Sequence, residues 1–358
     1  MLCHGGAGGR QRRLTVSDLG RLIRAIAGEP AAADILDTLQ FDHALLAESP
    51  RELTAPAVSR AVFAMAINAL LFQDLLDRVP SGAAYVADRR RSHQRITFDH
   101  GALRTVRFAK GPTGALPAGI GAFARILEPL GYTSAGVYPL DRLQMTGHAF
   151  AHREFSHTMP QFFISELHVE RFSAEFQAAA VRVFGASVDP LSHRARAALQ
   201  AFAEQGNCEF GTAAAALPEI LAAFRRCHDA PTLADYQVLL AESAEAAWMA
   251  TEGCVFNHAT DRVADVDAVA CEQRALGRPI KDSVEVSRSG SVRQTAFKAD
   301  PVARTFGTDD GGTTLTVPGS FYEFISRDVI ATADGTRQLD LRFDSMNAEG
   351  IFKMTAAA

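Results

Sequence analysis

Phe98-Asp99-His100-Gly101-Ala102-Leu103-Arg104 and Phe256-Asn257-His258-Ala259-Thr260-Asp261-Arg262 are two copies of one pattern, Phe-Asx-His-x-x-x-Arg, 158 residues apart. A helical stretch follows each copy and ends on Leu-Gly, at Leu130-Gly131 and at Leu276-Gly277. Two short strand-like runs come next. Each copy then finishes with a proline and a Glu-bearing strand, Pro160 to Glu166 and Pro318 to Glu323. The His-to-Glu separation is 66 residues in the first copy and 65 in the second. Self-similarity of this kind marks a supersecondary unit used twice. The pattern predicts an α+β fold with a duplicated strand-helix-three-strand unit. Two such units close into a curved sheet around a cavity, with a His from the first strand and a Glu from the last facing it.

Working outward, residues 95–171 form the first module, and residues 251–358 form the second together with a C-terminal loop. Within the first, 115–130 reads as helix, and Ala135–Leu140, Met145–Ala151 and Gln161–Val169 read as strands. Within the second, strand signals fall at Cys254–Phe256, Val284–Val286, Val292–Lys298, Thr314–Val317 and Phe321–Ile325, with a helix over 265–276. Between the modules, 172–250 is an Ala-rich helical insert with helices near 173–184, 190–204, 213–226 and 233–248. Ahead of them, 14–94 is helical. Leu19, Leu22, Ile23 and Ile26 recur at helical spacing until Gly28-Glu29-Pro30. Thr54 is placed to cap a longer helix whose apolar face holds Val62, Phe63, Ala66, Leu70 and Leu71. Residues 1–13 read as a flexible tail. The whole is expected to be one integrated catalytic domain.

Composition narrows the function. The chain has 358 residues, enough to bury a core without metal or disulfide staples. Its net charge of −5 gives no electrostatic footprint for nucleic acid, and Arg89-Arg90-Arg91 reads as a solvated face. Five cysteines with no CxxC pair argue against a disulfide scaffold and a structural zinc cluster. The longest apolar run, Ala61 to Phe72, is too short for a membrane span. A cytoplasmic protein with neither nucleic-acid nor membrane partner is expected; the oligomeric state is left open.

His100, His258 and Glu323 are the ligand set that the repeat selects. Two neutral imidazoles and one carboxylate on one face of a metal leave open positions, the arrangement used by non-haem Fe(II) oxygenases. Zinc accepts the same donors, so the metal stays open here. Glu166 stands at the position in the first copy that the spacing matches to Glu323, as a further ligand or as a group that orients one. His148 and His152 share parity on a strand and are weighed as cavity-lining or packed residues. His43, His93, His193 and His228 read as surface residues. Arg104 shares strand parity with His100 at a distance of roughly 13 Å. A guanidinium there suits the distal carboxylate of a short dicarboxylate.

At these residues the chain resembles the 2-oxoadipate dioxygenase/decarboxylase family, also called 2-hydroxyglutarate synthase. The resemblance is carried by Phe98 to Thr105, by Phe163-Ile164-Ser165-Glu166-Leu167-His168-Val169, and by Phe256-Asn257-His258. Arg293-Gln294-Thr295, Pro318-Gly319-Ser320-Phe321-Tyr322-Glu323-Phe324 and Asn347-Ala348-Glu349-Gly350-Ile351-Phe352 add to it. It implies a vicinal oxygen chelate-like fold with helical additions and Fe(II) on His100, His258 and Glu323. It implies a catalytic, substrate-binding Arg104 and further substrate contacts at Met346 and Asn347. The implied reaction takes 2-oxoadipate and O2 to 2-hydroxyglutarate and CO2, late in lysine breakdown. The substrate itself supplies the electrons, so no separate 2-oxoglutarate is needed. Two alternatives stay open: another 2-oxo acid on the same fold, or a glyoxalase-like metal-dependent lyase or isomerase, which Glu166 as a fourth ligand would favour.

Overall fold

A computed structural model describes residues 17–46, 56–308, 311–331 and 335–344. The tail at 1–13, Thr54, Met346, Asn347 and the motif at 347–352 lie outside the described residues.

Two helices, α1 (Asp18–Ala27) and α2 (Glu29–Thr38), meet at Gly28. The Gly28-Glu29-Pro30 break ends α1, as expected. Pro30 sits in the first turn of α2, where its missing N–H costs nothing. A short strand β1 (Ala57–Ser59) leads into α3 (Arg60–Arg78), whose first turn is capped by Ser59 accepting from Val62 N–H at 3.2 Å. α3 is buried on nearly every side, because it lies between the other helices and the main sheet. α4 (Pro80–Arg91) follows and presses Tyr85 edge-on against Phe324 at 4.7 Å.

The first module comprises β2 (Phe98–Arg107), α5 (Gly121–Leu127), β3 (Tyr132–Leu140), β4 (Met145–His152) and β5 (Gln161–His168). The helix is shorter than 115–130, since Pro117 and Gly119 hold the leading residues in turns. The insert contributes α6 (Ala174–Phe184), α7 (His193–Gln205), β6 (Asn207–Glu209), α8 (Phe210–Ala222), α9 (Leu233–Glu242) and α10 (Ala244–Glu252). It divides between two cores. α7 and α8 pack with the N-terminal helices, while α6, α9 and α10 pack on the end of the first module.

The second module comprises β7 (His258–Arg262), α11 (Val266–Ala275), β8 (Glu285–Val286), β9 (Val292–Ala296), a hairpin of β10 (Pro301–Phe306) and β11 (Thr313–Pro318), and β12 (Phe321–Arg327). Cys254–Phe256 is not strand but the approach to β7. The run at 314–317 pairs with 301–306 outside the main sheet, so it is not one of the module's four strands. A last pair, β13 (Val329–Ala331) and β14 (Arg337–Leu339), follows.

The main sheet has eight strands in the order β3-β4-β5-β2-β7-β12-β9-β8 and curls into a half-barrel. Outward from the central antiparallel β2–β7 seam, each half runs first, fourth, third, second strand, so the halves share one topology. Each joins its first and fourth strands in parallel, as the helical crossover requires. Strand alternation then sorts the side chains. Leu103, Ile164, Ala259, Tyr322 and Phe324 turn to the helices and form the main core. Gly101 on that face is needed for packing, since a Cβ there would lie 2.2 Å from the Phe256 ring. His100, Ala102, Phe163, His258 and Glu323 turn the other way.

Candidate metal centre

Register places the three predicted ligands together. His100 pairs across the seam with Thr260, Thr260 pairs with Glu323, and His258 starts the same strand. The potential ligand atoms of His100, His258 and Glu323 all lie within 4.8 Å of one another. Glu323 Oε2 is 3.4 Å from His100 Nε2 and 3.2 Å from His258 Nε2. All three side chains are buried.

Their surroundings prepare them as ligands. The register of β2 shifts between Phe98 and His100, a bulge that lets adjacent residues work together. Asp99 Oδ1 lies 2.9 Å from His100 Nδ1, so Nδ1–H points to the carboxylate and Nε2 to the site. Burial alone would raise the Asp99 pKa, but the Arg327 guanidinium and His100 hold it well below the carboxylate range. Asn257 takes the corresponding place beside His258, its Nδ2 3.0 Å from Nδ1. Turning that amide by 180° would present Oδ1 to an Nδ1–H and clear Nε2 for a metal. Burial, aided by the charges of His100 and Arg104, pushes the His258 pKa down to about 3 despite Glu323, so this ring is neutral. Burial also disfavours charge on Glu323, yet the neighbouring histidines and Thr260 keep it ionised. Thr260 Oγ1 donates to Glu323 Oε2 at 2.6 Å and stands 3.1 Å from His100 Nε2.

The donor set fits a cation. Glu323 Oε1 is buried with no hydrogen-bond partner among the described residues. An ionised carboxylate is seldom left so unless a charge completes it. Asp99 is answered by two guanidinium groups, Arg327 at 2.8 Å and Arg262 at 3.8 Å, whereas the ion pairs of Glu323 are with His100 and His258, the residues that would share a cation with it. At His100 burial lowers the pKa, but hydrogen bonds to Asp99 and Glu323 raise it further, so the two carboxylates favour positive charge at this ring.

Glu166 is not the counterpart of Glu323. Since His100 pairs with Gln161 as His258 pairs with Phe321, the residue matching Glu323 is Phe163, and Glu166 matches Ser326. Three residues along a strand reverse the face. Glu166 therefore points to the helix layer, where Oε2 accepts from Ile120 N–H at 2.7 Å ahead of α5. Ser326 Oγ accepts from Val266 N–H at 2.8 Å at the start of α11. Gly119, with φ of 50°, admits the Glu166 carboxylate, since a Cβ would lie 1.9 Å from Oε2. The near-equal spacing of the two glutamates conceals this difference in face.

His148 pairs with Ile164, also on the helix-facing side. His152 is buried, with Nε2 3.0 Å from Leu130 O and Nδ1 accepting from Glu154 N–H. Neither lines the metal cluster. His43, His93 and His193 are exposed, whereas His228 is half-buried beside a cavity shared with Cys227 and Cys254.

Arg104 lies on the site face and is wholly buried, its Cζ 4.8 Å from the Trp248 ring. Burial lowers its pKa to about 10, partly offset by Glu245. Trp248 and Glu245 both stand on α10, and Trp248 Nε1 donates to Gly319 O at 2.9 Å. The insert thus backs the guanidinium. Sequence reasoning passed over Thr260, Asn257, Arg327, Trp248 and Phe343. Thr260 carried a signal in its parity with His258, and Asn257 one in the Phe-Asx-His pattern, where it stands opposite Asp99.

A half-barrel of two βαβββ units, with two histidines and a glutamate at the seam, defines a protein of the vicinal oxygen chelate class. A family model described as 2-oxoadipate dioxygenase/decarboxylase matches residues 66–355, and the chain belongs to that family of oxidoreductases. No curated protein sequence matches it. A crystal structure of a protein assigned to the glyoxalase superfamily, from Ralstonia eutropha JMP134, is 46% identical with a TM-score of 0.84, covering 91% of this chain and 98% of that one. Hydroxyglutarate synthase from Oryza sativa, in complex with 2-oxoadipate, shares the fold at 22% identity and a TM-score of 0.64, covering 87% of this chain and 98% of that one. The Pseudomonas putida enzyme with 2-oxoadipate gives 22% identity and 0.56, covering 83% and 72%. Among the described residues, no helix is long and apolar enough to cross a membrane.

Proposed function

We propose that this protein is an Fe(II)-dependent enzyme that converts 2-oxoadipate and O2 to 2-hydroxyglutarate and CO2 in the cytoplasm, within lysine catabolism. The observation that carries the reading is the buried His100–His258–Glu323 cluster with an incomplete carboxylate. Arg104 on the same sheet face provides a buried positive charge. When bound, Fe(II) would supply chelation of a 2-oxo acid and redox chemistry with O2. The family match and the 2-oxoadipate held by two structural neighbours support the choice of substrate.

The protein's own residues perform three tasks. Asp99 and Asn257 fix the imidazoles, which keeps Nε2 of each aimed at one point. Arg104, stiffened by Trp248, receives the distal carboxylate and sets how far the substrate extends from the metal. Met346 and Asn347 add substrate contacts. Phe163, Ala102, Ala149 and Phe343 exclude water around the reacting end. With Glu166 committed to the helix layer, the fourth-ligand argument for a lyase or isomerase loses its residue. The test is oxygen uptake by the Fe(II)-loaded protein across a panel of 2-oxo acids, with product analysis. Uptake with 2-oxoadipate and formation of 2-hydroxyglutarate are expected. Turnover without O2 consumption would return the site to lyase or isomerase chemistry.

A further inference from the structure

Arg327 ends β12, four residues beyond Glu323, and its side chain is completely buried. One edge of the guanidinium grips Asp99: Nε donates to both carboxylate oxygens at 3.1 and 3.0 Å, and Nη2 donates to Oδ1 at 2.8 Å. The opposite edge holds main chain, with Nη1 donating to Asp340 O at 2.7 Å and to Arg342 O at 3.0 Å. These carbonyls belong to a strap, residues 337–344, that crosses the site. The strap places Phe343 edge-on to His100 at 4.9 Å and against Phe163 at 4.8 Å. Its other moorings lie on either side of the fork. Asp340 accepts from Ser291 Oγ at 2.6 Å and its N–H donates to Asp328 O at 2.9 Å, Leu341 O accepts from Gln161 Nε2 at 3.3 Å, Asp344 accepts from Arg288 N–H at 2.9 Å, and Phe343 N–H donates to the Tyr138 hydroxyl at 3.3 Å. Only three strap residues pair as strand, with β13.

One rigid fork therefore joins two things. Behind it, Asp99 holds the Nδ1 side of a candidate metal ligand. In front of it hang two carbonyls of the segment that covers the site. Bidentate guanidinium–carboxylate contacts are geometrically demanding, so displacing Asp99 also displaces the far edge of the fork. We propose that Arg327 is a positioning residue that makes metal occupancy at His100 and seating of the 337–344 strap one coupled equilibrium. A metal on Nε2 fixes the ring, which fixes Asp99, which completes the fork that holds the strap. By reciprocity, a seated strap tightens metal binding by the same factor. The inference rests on the metal reading of the triad but not on the identity of the substrate.

Tryptic cleavage of the full chain after Arg337 and Arg342 reads the strap directly, because the Arg342 side chain is 66% exposed. Cleavage followed by mass spectrometry would be compared in chelator-stripped and Co(II)-loaded protein. Metal affinity would be measured by competition with a chromophoric chelator. In the native chain, Co(II) is expected to slow strap cleavage at least about fivefold. Arg327→Gln should bind Co(II) about 10- to 100-fold more weakly and gain no protection even when saturated. Arg327→Lys, which keeps the charge but not the fork, should retain more affinity and still lose protection. Phe343→Leu leaves the fork intact and should keep metal-dependent protection. It also carries the test if the Arg327 variants do not fold. Native-like protection in Arg327→Gln or Arg327→Lys, or loss of protection in Phe343→Leu, would overturn the coupling. A native chain that binds Co(II) with unchanged cleavage ends this proposal alone; one that binds no metal ends the metal reading with it.

Discussion

The two halves share a topology and a motif but not a chemistry. The second half supplies two of the three candidate ligands, His258 and Glu323, whereas the first supplies His100 and a buried arginine. At the register position of Glu323 the first half carries Phe163. Beside the histidines, Asp99 and Asn257 differ in charge. The arginines four residues past each histidine also part company. β2 continues to residue 107, so Arg104 is enclosed by α10, while β7 stops at Arg262, whose Nη2 donates to His157 O at 3.1 Å and whose Nη1 lies 3.8 Å from Asp99 Oδ2. Duplication supplied the frame, and divergence at matched positions made one asymmetric site.

The sharpest way to break the comparison is to exchange its key position. Glu323→Ala, like His100→Ala and His258→Ala, should lose bound metal and activity with the fold retained. Phe163→Ala, at the matching place, should keep the metal and lose about 3 kcal/mol of stability. Metal analysis and denaturant unfolding of the purified variants check both; full occupancy in Glu323→Ala would remove that residue from the site. Next comes the arginine pair. Arg104→Met should lower kcat/KM for 2-oxoadipate about 10- to 150-fold, the loss of a charge-assisted hydrogen bond. A 2-oxo monocarboxylate of similar length should be nearly unaffected, and Arg262→Met, at a residue that reaches Asp99 and not the distal carboxylate, should leave the preference between the two substrates unchanged. Equal losses on both substrates would show that Arg104 does not read the distal carboxylate.

Smaller effects sharpen the contrast between the aspartates. Asp99 is ionised against Arg327, but burial drives the Asp261 pKa up to about 7 from 3.8, although Tyr85 donates to it at 2.8 Å and Thr97 N–H at 3.1 Å. The folded state then binds the proton more tightly than the unfolded one. This group's contribution to stability is therefore complete below about pH 4 and declines up to about pH 7, at roughly 1.4 kcal/mol per unit. Asp261→Asn should remove that decline, which unfolding curves from pH 4.5 to 8 would reveal; an unchanged slope would mean that the carboxyl is ionised throughout. The smallest effect belongs to the matched caps. Glu166→Gln and Ser326→Ala should each cost about 1 kcal/mol and leave metal content unchanged. Metal loss in Glu166→Gln equal to that in Glu323→Ala would restore it as a ligand candidate.

The paired motif made the duplication legible, because a strand that presents a functional residue carries a local signature. It marked His100, His258 and Glu323 for the same reason. It failed at Glu166, since residue counts ignore where a strand begins: β5 starts directly after Pro160, whereas β12 starts three residues after Pro318. It also failed at Pro301–Phe306, an exposed hairpin strand whose pairing partner is set by proximity alone.

By itself, the sequence determined the repeated βαβββ frame, the donor types and their order, because periodicity and residue chemistry are local properties. The tertiary structure decided which donors meet. Strand register sent Glu323 inward and Glu166 outward, and the bulge at Asp99 set a carboxylate behind His100. Contacts 228 residues apart in the chain made Arg327 the link between that carboxylate and the strap. Such pairings depend on through-space distances that only a closed sheet fixes.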